Sequence, residues 1–435
     1  MCLCLALAAG QTGFAQATPA PNLPAAPPPN LPAQAPPPPN PPLPASGPFT
    51  MQQVVEEALA HNPVLLSSLE NLLSMKGQQV QAGVRQNPNL FLSGTDVSLD
   101  ATNPASPYAY DVGINRLFER GQKRRWRLDI ATNQIAQTDG QYHDQIRQVT
   151  LQVKQSFTNV LLAKATLRLT KDNLEHYHHV LQINHDRYDN GDIDKLDYER
   201  LDLQLAQYES DETTAEMNLI QASDQLQLLM GYQKPSRTFD ITGDIVPPIV
   251  PGTLTELEQK ALAARPDFRA AQAAVRVADA NVKLTYANGT SDPTVEGDYQ
   301  RAGVYNSAGF SVSIPIRIFD RNQGNKDTSK YQAVASRFSE VAAENQVYSD
   351  VDQAWIGYTA AKVLSDRYNG HYLAEAKDVL SIAQFAYERG GIALLDYLSA
   401  LQDDRTTNLN ALNSYAQTWL AIHQLSAATA TEIVP

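Results

Sequence analysis

The stretch Tyr188-Asp189-Asn190-Gly191-Asp192-Ile193-Asp194-Lys195-Leu196-Asp197-Tyr198 returns about 200 residues later as Tyr387-Glu388-Arg389-Gly390-Gly391-Ile392-Ala393-Leu394-Leu395-Asp396-Tyr397. In both copies a glycine interrupts a long helical pattern, and glycine enters the left-handed region that a reversing turn needs. Each copy therefore marks the tip of a helical hairpin.

Outward from the first tip, apolar residues recur at alternating steps of three and four. Ile146, Val149, Val153, Val160, Ala163, Leu167, Leu174, Tyr177, Leu181 and Tyr188 form the stripe, with Ser156, Thr170 and Asn184 as its polar members. Beyond Gly191 it resumes at Leu201, Leu205, Tyr208, Ala215, Leu219, Ala222, Leu226 and Leu229, broken once at Glu212. A seven-residue repeat of this kind packs helices as coiled coils. One helix over residues 119–189 would be roughly 105 Å long at its rise per residue. The molecule is expected to be elongated.

Further pairs recur at nearly the same offset. Ala58-Leu59-Ala60-His61-Asn62-Pro63 answers Ala261-Leu262-Ala263-Ala264-Arg265-Pro266, and Leu117-Phe118-Glu119-Arg120-Gly121-Gln122 answers Ile318-Phe319-Asp320-Arg321-Asn322-Gln323. A period this long is a duplication rather than a solenoid. Residues 49–252 and 253–435 are thus two repeats, each reading helix, two strands, long helix, glycine turn, long helix. The first helix is predicted over residues 51–85, stopped by Asn87-Pro88. The strand hairpins are predicted at 88–118, broken by Thr102 to Pro107, and at 293–319, with a turn around Ala302 to Ser307.

Ahead of the repeats, Cys2 and Cys4 lie in an apolar run followed by Ala15-Gln16-Ala17, a small-x-small cleavage pattern. Residues 1–17 read as a secretory signal peptide, with a short buried helix as the other reading. No basic residue precedes the apolar run, so translation is expected to start upstream. A mature chain without cysteine suits an oxidising compartment and offers no site for an N-terminal lipid anchor. Residues 18–48, rich in proline, alanine and asparagine, read as a disordered polyproline-type linker.

The chain has 435 residues, 43% of them hydrophobic, and a formal net charge of −13. A nucleic-acid partner is disfavoured because no basic stripe offsets the acidic excess. No run of 18 or more apolar residues follows the signal segment, so any membrane crossing must use β-strands. Two hairpins give four strands, and four cannot close a barrel, which needs at least eight. Two or three pooled copies would suffice. A small soluble sheet beside a coiled coil is the alternative, and Asp96, Asp100, Asp111, Glu296 and Asp298 must in either case face a lumen or loop.

Over nearly all of residues 49–426 the chain resembles the TolC family of outer-membrane efflux channels. The resemblance rests on the duplication, the two strand hairpins and a Tyr-x-x-Gly-x-x-x-x-x-Asp signature in each half: Tyr188, Gly191 and Asp197, then Tyr387, Gly390 and Asp396. It implies an α+β membrane protein, a homotrimer with four transmembrane strands per chain in a twelve-stranded barrel and long antiparallel helices forming a periplasmic tunnel. The run Ile314 to Asn325, with Phe319-Asp320-Arg321-Asn322-Gln323-Gly324, resembles the branch serving heavy-metal cation pumps.

The same resemblance implies that Gly191 and Gly390 form periplasmic tips that dock a membrane fusion (adaptor) protein. Asp197, Tyr387, Ile392 and Asp396 would form the pore gate, with three Asp396 carboxylates in a ring and Asp197 accepting a hydrogen bond from Tyr387. Ile392 and Leu196 are apolar where relatives can carry a polar tie, which implies apolar packing there. The expected function is a passive exit duct for an inner-membrane pump of the resistance-nodulation-division class, in outer-membrane lipid. A type I protein secretion duct and a periplasmic or cell-surface coiled-coil scaffold are the alternatives.

No enzyme motif is present: no Gly-rich phosphate loop, no His-Glu-x-x-His and no Gly-x-Ser-x-Gly. No cofactor is expected. His176, His178, His179 and His185 cluster before the first tip, but a zinc or copper site needs three or four convergent ligands, and a solvated helix face is the simpler reading.

Overall fold

The computed structural model describes residues 48–95 and 109–433. The signal segment, nearly all of the proline-rich segment, the turn Thr102 to Pro107, and Asp96 and Asp100 lie outside the described residues. In chain order the elements are α1 (Met51–His61), α2 (Pro63–Ala82), β1 (Asn89–Thr95), β2 (Ala109–Leu117), α3 (Lys123–Asp189) and α4 (Lys195–Leu229). Then follow α5 (Leu254–Ala264), α6 (Pro266–Asn288), β3 (Thr294–Ala302), β4 (Tyr305–Ser313) and α7 (Gln323–Arg367). A π turn (Tyr368–Tyr372) leads into α8 (Leu373–Glu388) and α9 (Leu394–Thr429). No described helix is long and apolar enough to cross a membrane.

The single helix expected over residues 51–85 is two, α1 and α2. Proline disfavours helical backbone in the residue before it, and Asn62 sits at φ −65°, ψ 120° ahead of Pro63. Its side chain accepts from the Val64 and Leu65 amides at 2.9 and 3.4 Å and donates to the Leu229 carbonyl at 2.8 Å. The break thus becomes a cap that also ties α2 to the end of α4. Arg265 holds the matching place before Pro266, at φ −62°, ψ 122°. It is only 2% exposed. Its guanidinium pairs with Asp267 at 2.5 Å and Asp350 at 2.7 Å and reaches the Ala428 carbonyl at 3.4 Å, near the end of α9.

The long helix begins at Lys123 rather than Glu119, because Gly121 and Gln122 both hold positive φ, 69° and 59°. Asn322, φ 61°, makes the same corner ahead of α7. From Lys123, α3 runs 67 residues without a break, roughly 100 Å. Its stripe residues Val149, Val153, Val160 and Tyr177 are buried, as are Leu201, Tyr208, Ala215 and Leu226 of α4. Glu212, where the stripe breaks, faces Lys171 at 3.8 Å. Three apolar clusters follow. One gathers Phe49, Val54, Phe157, Leu226, Met230 and Ile241, and a second gathers Leu257, Val347, Val351, Tyr358, Ile422 and Leu425. The third lies at the hairpin tips.

The strands form one antiparallel sheet in the order β1-β2-β3-β4. β2 and β3 join the two halves, in register from Ala109 with Ala302 to Leu117 with Thr294. β3 and β4 are joined by a tight turn at Gly303, φ 60°. The sheet is narrower than the predicted 293–319 segment, since β4 ends at Ser313. Register and the two-residue alternation of strands give the sheet a mostly apolar face, which also carries Arg116 and Arg301, and a mostly polar one, which also carries Phe91, Leu117 and Tyr305. Leu90, Ile114 and Phe310 line up across the sheet through Gly297, and Leu92, Val112 and Tyr299 through the next rung. These side chains are exposed, Phe310 at 86%. Asp111, Asn115, Glu296, Asp298, Gln300 and Ser311 share the opposite face. The outer edges, β1 and β4, have no neighbouring strand among the described residues.

The Arg265 junction can be tested directly. Burial pushes the Asp267 carboxyl up, but the hydrogen bond and charge of Arg265 prevail and hold it below the usual carboxylate range. Arg265→Ala removes the charged hydrogen bonds to two carboxylates that are themselves about a third exposed, 34% and 31%, and is expected to cost about 2 kcal/mol. Thermal unfolding of the detergent-solubilised protein measures it. The stabilisation from the lowered Asp267 pKa is present above its unfolded value of 3.8 and is lost as the pH falls further, so the gap between the two proteins narrows in acid.

Candidate functional site

The two tip sequences fold into the same motif. In the first, the Gly191 amide donates to the Tyr188 carbonyl at 2.9 Å and the Asp192 amide to the Arg187 carbonyl at 2.8 Å. In the second, Gly390 donates to Tyr387 at 3.0 Å and Gly391 to Ala386 at 2.8 Å. The glycines sit at φ 80° and 70°, as this helix-ending turn requires. A Cβ on either would meet nothing within 4 Å, so the demand for glycine is conformational and both turns present bare backbone to solvent.

Each turn is clasped by the two tyrosines that bracket its sequence. Tyr188 stacks on Tyr198 with centroids 5.1 Å apart and planes at 14°, and Tyr387 on Tyr397 at 5.1 Å and 7°. Farther from the first tip, Tyr177 stacks on Tyr208 at 4.4 Å and donates to the Leu201 carbonyl at 2.8 Å. Tyr177, Leu201, Tyr208, Tyr387, Tyr397 and Leu401 form one buried cluster across both hairpins. Burial pushes the Tyr397 phenol up to about 12 and raises Tyr177 as well, so both stay neutral.

One polar contact binds the hairpins together inside this cluster. The Tyr387 hydroxyl donates to Asn184 Oδ1 at 2.6 Å, with Tyr387 7% and Asn184 1% exposed. Asn184 Nδ2 in turn donates to the Val180 carbonyl at 2.8 Å, and the Arg187 guanidinium lies 5.0 Å from the Tyr387 ring centroid. Burial raises the Tyr387 pKa, opposed by the charge of Arg187 and assisted by that of Asp197.

This corrects the expected bond from Tyr387 to Asp197. Asp197 lies in the first turn of α4, where its amide donates to the Asp194 side chain at 2.8 Å and its carboxylate faces Arg200 at 3.6 Å. Asn184 instead occupies the buried stripe of α3, where an unpaired amide would be costly. Ile392 packs against the tip cluster, in line with the apolar expectation, whereas Leu196 is 59% exposed and does not. Asp396 is exposed in the first turn of α9, where the helix dipole favours its charge, and makes no ion pair among the described residues.

Asn184, Arg187, Tyr177, Tyr198, Tyr208 and Tyr397 were not named in advance as site residues. Asn184 had a signal, being a polar residue on an apolar stripe. His176, His178, His179 and His185 are exposed, and the His185 ring lies 3.4 Å from Asp189. Among the described residues no group of three or more His, Cys, Asp or Glu side chains could hold a metal ion.

Comparison with known proteins bears on the whole arrangement. The family described as Outer membrane efflux protein matches residues 54–232 and 257–430. The cobalt-zinc-cadmium resistance protein CzcC of Cupriavidus metallidurans is 26% identical over 385 residues, covering 87% of this chain and 90% of that one. The probable outer membrane lipoprotein SilC of Salmonella typhimurium is 25% identical over 264 residues, 57% of this chain and 56% of its own. Among solved structures, the outer-membrane channel OprN superposes with a TM-score of 0.76 at 17% identity, over 87% of this chain and 89% of that one. CusC superposes at 0.75 with 20% identity, over 87% and 91%. The open-state MtrE channel of Neisseria gonorrhoeae superposes at 0.72 with 18% identity, over 88% and 89%. With both halves matched and the fold shared with solved outer-membrane channels, the chain belongs to the outer membrane efflux protein family.

Proposed function

We propose that three copies of the chain close their four-stranded sheets into a twelve-stranded barrel and pool their helices into a periplasmic tunnel, the exit duct of a tripartite efflux system. The observation that carries this reading is the two-faced sheet whose two edges have no neighbouring strand among the described residues. An edge in lipid leaves each unpaired backbone group at a cost of several kcal/mol, and joining β1 of one copy to β4 of the next removes every edge. The apolar face then meets lipid, and Asp111, Glu296 and Asp298 line the lumen. Residues 49–252 and 253–435 act as two repeats of one unit, each contributing a hairpin to barrel and tunnel.

At the far end, the bare backbone of Gly191 and Gly390 docks the periplasmic adaptor, which links the duct to an inner-membrane pump of the resistance-nodulation-division class. Heavy-metal cations are the proposed cargo, supported by the kinship with CzcC, a cobalt-zinc-cadmium resistance protein. Asp396 forms a ring of three carboxylates that favours cations. The closed state is held inside each protomer by Tyr387 on Asn184, with Ile392 packed beside it and Asp197 contributing charge.

Cross-linking in intact outer membranes is expected to trap trimers, and capture of nothing beyond monomers and dimers would overturn the barrel. Tyr387→Phe removes one buried hydrogen bond per protomer, each worth about 1 kcal/mol, and should raise resting conductance in planar bilayers. Asn184→Ala should do the same, while Asp197→Asn should do so far less. Asp396→Asn is expected to weaken cation preference and divalent block without raising resting conductance. Gly390→Trp forces a left-handed side chain, at about 1–2 kcal/mol, and buries the docking backbone. It should abolish efflux in a metal-tolerance assay while trimers still assemble.

A further inference from the structure

Where the sheet meets the helices, an acidic protein turns basic. Residues 116–127 hold Arg116, Arg120, Lys123, Arg124, Arg125 and Arg127 against the one carboxylate of Glu119, in a chain of net charge −13. Arg85, Arg116, Lys123 and Arg124 converge on a cleft of about 400 Å³ at this junction, together with Phe118 and Glu119.

Two of the charges in the cleft are already spent. Glu119 is held by Arg127 at 2.5 and 2.9 Å, and Lys123, 6% exposed, by Asp292 at 2.5 Å. The other three cations have no ion-pair partner among the described residues. Arg124 uses one nitrogen on the Gly83 carbonyl at 2.5 Å, and Arg116 lies over the Phe118 ring at 5.3 Å. The cleft therefore concentrates uncompensated positive charge.

Its position relative to the sheet identifies the anion. Arg116 follows Tyr110, Val112 and Ile114 at steps of two, so it sits on the apolar face at the helix-side end of β2. In the first turn of α3, which follows β2, lies the ring of Trp126, flanked by Arg125 and Lys283 at 5.2 and 5.1 Å, and in the last turn of α6, which precedes β3, that of Tyr286, flanked by Lys326 and Lys330 at 5.4 and 5.7 Å. Aromatic rings and long cations at the end of an apolar band are the pattern of a membrane–water interface. Arginine forks suit phosphate oxygens, which accept two parallel N–H bonds.

We propose that the cleft of Arg85, Arg116 and Arg124 binds the phosphate of an anionic phospholipid in the periplasm-facing leaflet of the outer membrane. The proposal rests on the apolar face of the sheet meeting lipid. The headgroup phosphate sits among the three guanidinium groups, and its acyl chains run up past Phe118 along the apolar face. A bound lipid would tie the β2–α3 junction to the membrane plane and set the depth of the barrel.

The test uses the full-length protein purified in a neutral detergent and titrated with phosphatidylglycerol, with phosphatidylcholine of the same chains, or with inorganic phosphate, while melting is followed. Phosphatidylglycerol is expected to raise the melting temperature at concentrations where the other two do nothing. Arg85→Gln/Arg116→Gln/Arg124→Gln should need roughly a hundredfold more of it, about a factor of five for each basic side chain near an anionic surface, and the triple lysine variant should lie between. Equal response to phosphatidylcholine, whose phosphate charge is balanced by choline, would show no preference for a net anionic headgroup and overturn the proposal. Equal response to inorganic phosphate would overturn the lipid source. Should the triple variant fold poorly, Arg85→Gln and Arg116→Gln alone must each weaken the response, or the site is refuted. Cross-linking in outer membranes separates the premises: trimers with unaltered phosphatidylglycerol response in the variants sink the cleft alone, and absence of wild-type trimers sinks the barrel.

Discussion

The packing seam along α3 is the constraint on which the rest of the molecule depends. A helix of roughly 100 Å cannot fold around a compact core, and isolated helices draw little stability from propensity alone. Its order comes from burying a stripe of Val149, Val153, Val160 and Tyr177 against neighbouring helices. The chain must then return along itself, which is why a left-handed glycine stands at each tip and why both tips carry the same tyrosine clasp. The sheet at one end and the turns at the other are far apart because that seam keeps them apart.

Duplication supplied two copies of each solution, and the copies have drifted where chemistry allows. Asn62 and Arg265 both break a helix before proline and both reach back to a carbonyl at the end of the returning helix, Leu229 or Ala428. One does it with a neutral amide, the other with a guanidinium that then requires Asp267 and Asp350. The tips diverge in the same way. Asp194 caps α4 through its side chain, while Ala393 in the corresponding place gives α9 no such cap. What stayed common is what backbone geometry dictates: glycine at positive φ and an aromatic ring on either side.

Features dictated by local rules were legible in the sequence. The tips, the stripes and the two strand hairpins all follow from glycine placement and periodicity, and the kinship with outer-membrane efflux channels follows from their order. The helix break at Asn62 was equally local and was overridden by the strong apolar pattern on both sides of it. The start of α3 at Lys123 depended on left-handed backbone at Gln122, which a non-glycine residue seldom announces. The partner of Tyr387 was a different kind of problem, because it depends on how α3 and α8 align across the hairpins. Asp197 and Asn184 were both near enough in sequence, and only the register of the packed helices chose between them. The basic cleft was hidden for a similar reason, since Arg85 and Arg116 converge only once the sheet has formed.

An outer-membrane efflux channel must be permanent at one end and openable at the other, and the two ends are built from interactions of different strength and number. Each strand pair in the sheet is joined by a ladder of backbone hydrogen bonds that, in the proposed barrel, lipid would make obligatory, since the groups would have no water to fall back on. The hairpins near the tip are joined by apolar contacts, by one buried hydrogen bond from Tyr387 to Asn184, worth on the order of 1 kcal/mol net, and by the Arg405–Asp211 ion pair between α9 and α4. Breaking these polar contacts exposes their groups to water, which repays most of the loss. A ladder in lipid cannot be opened by a docking partner of ordinary affinity, whereas a few polar contacts whose groups water can take up once they part can. On the proposed reading the gate therefore belongs at the tip, where the cost of opening falls within what adaptor binding would supply.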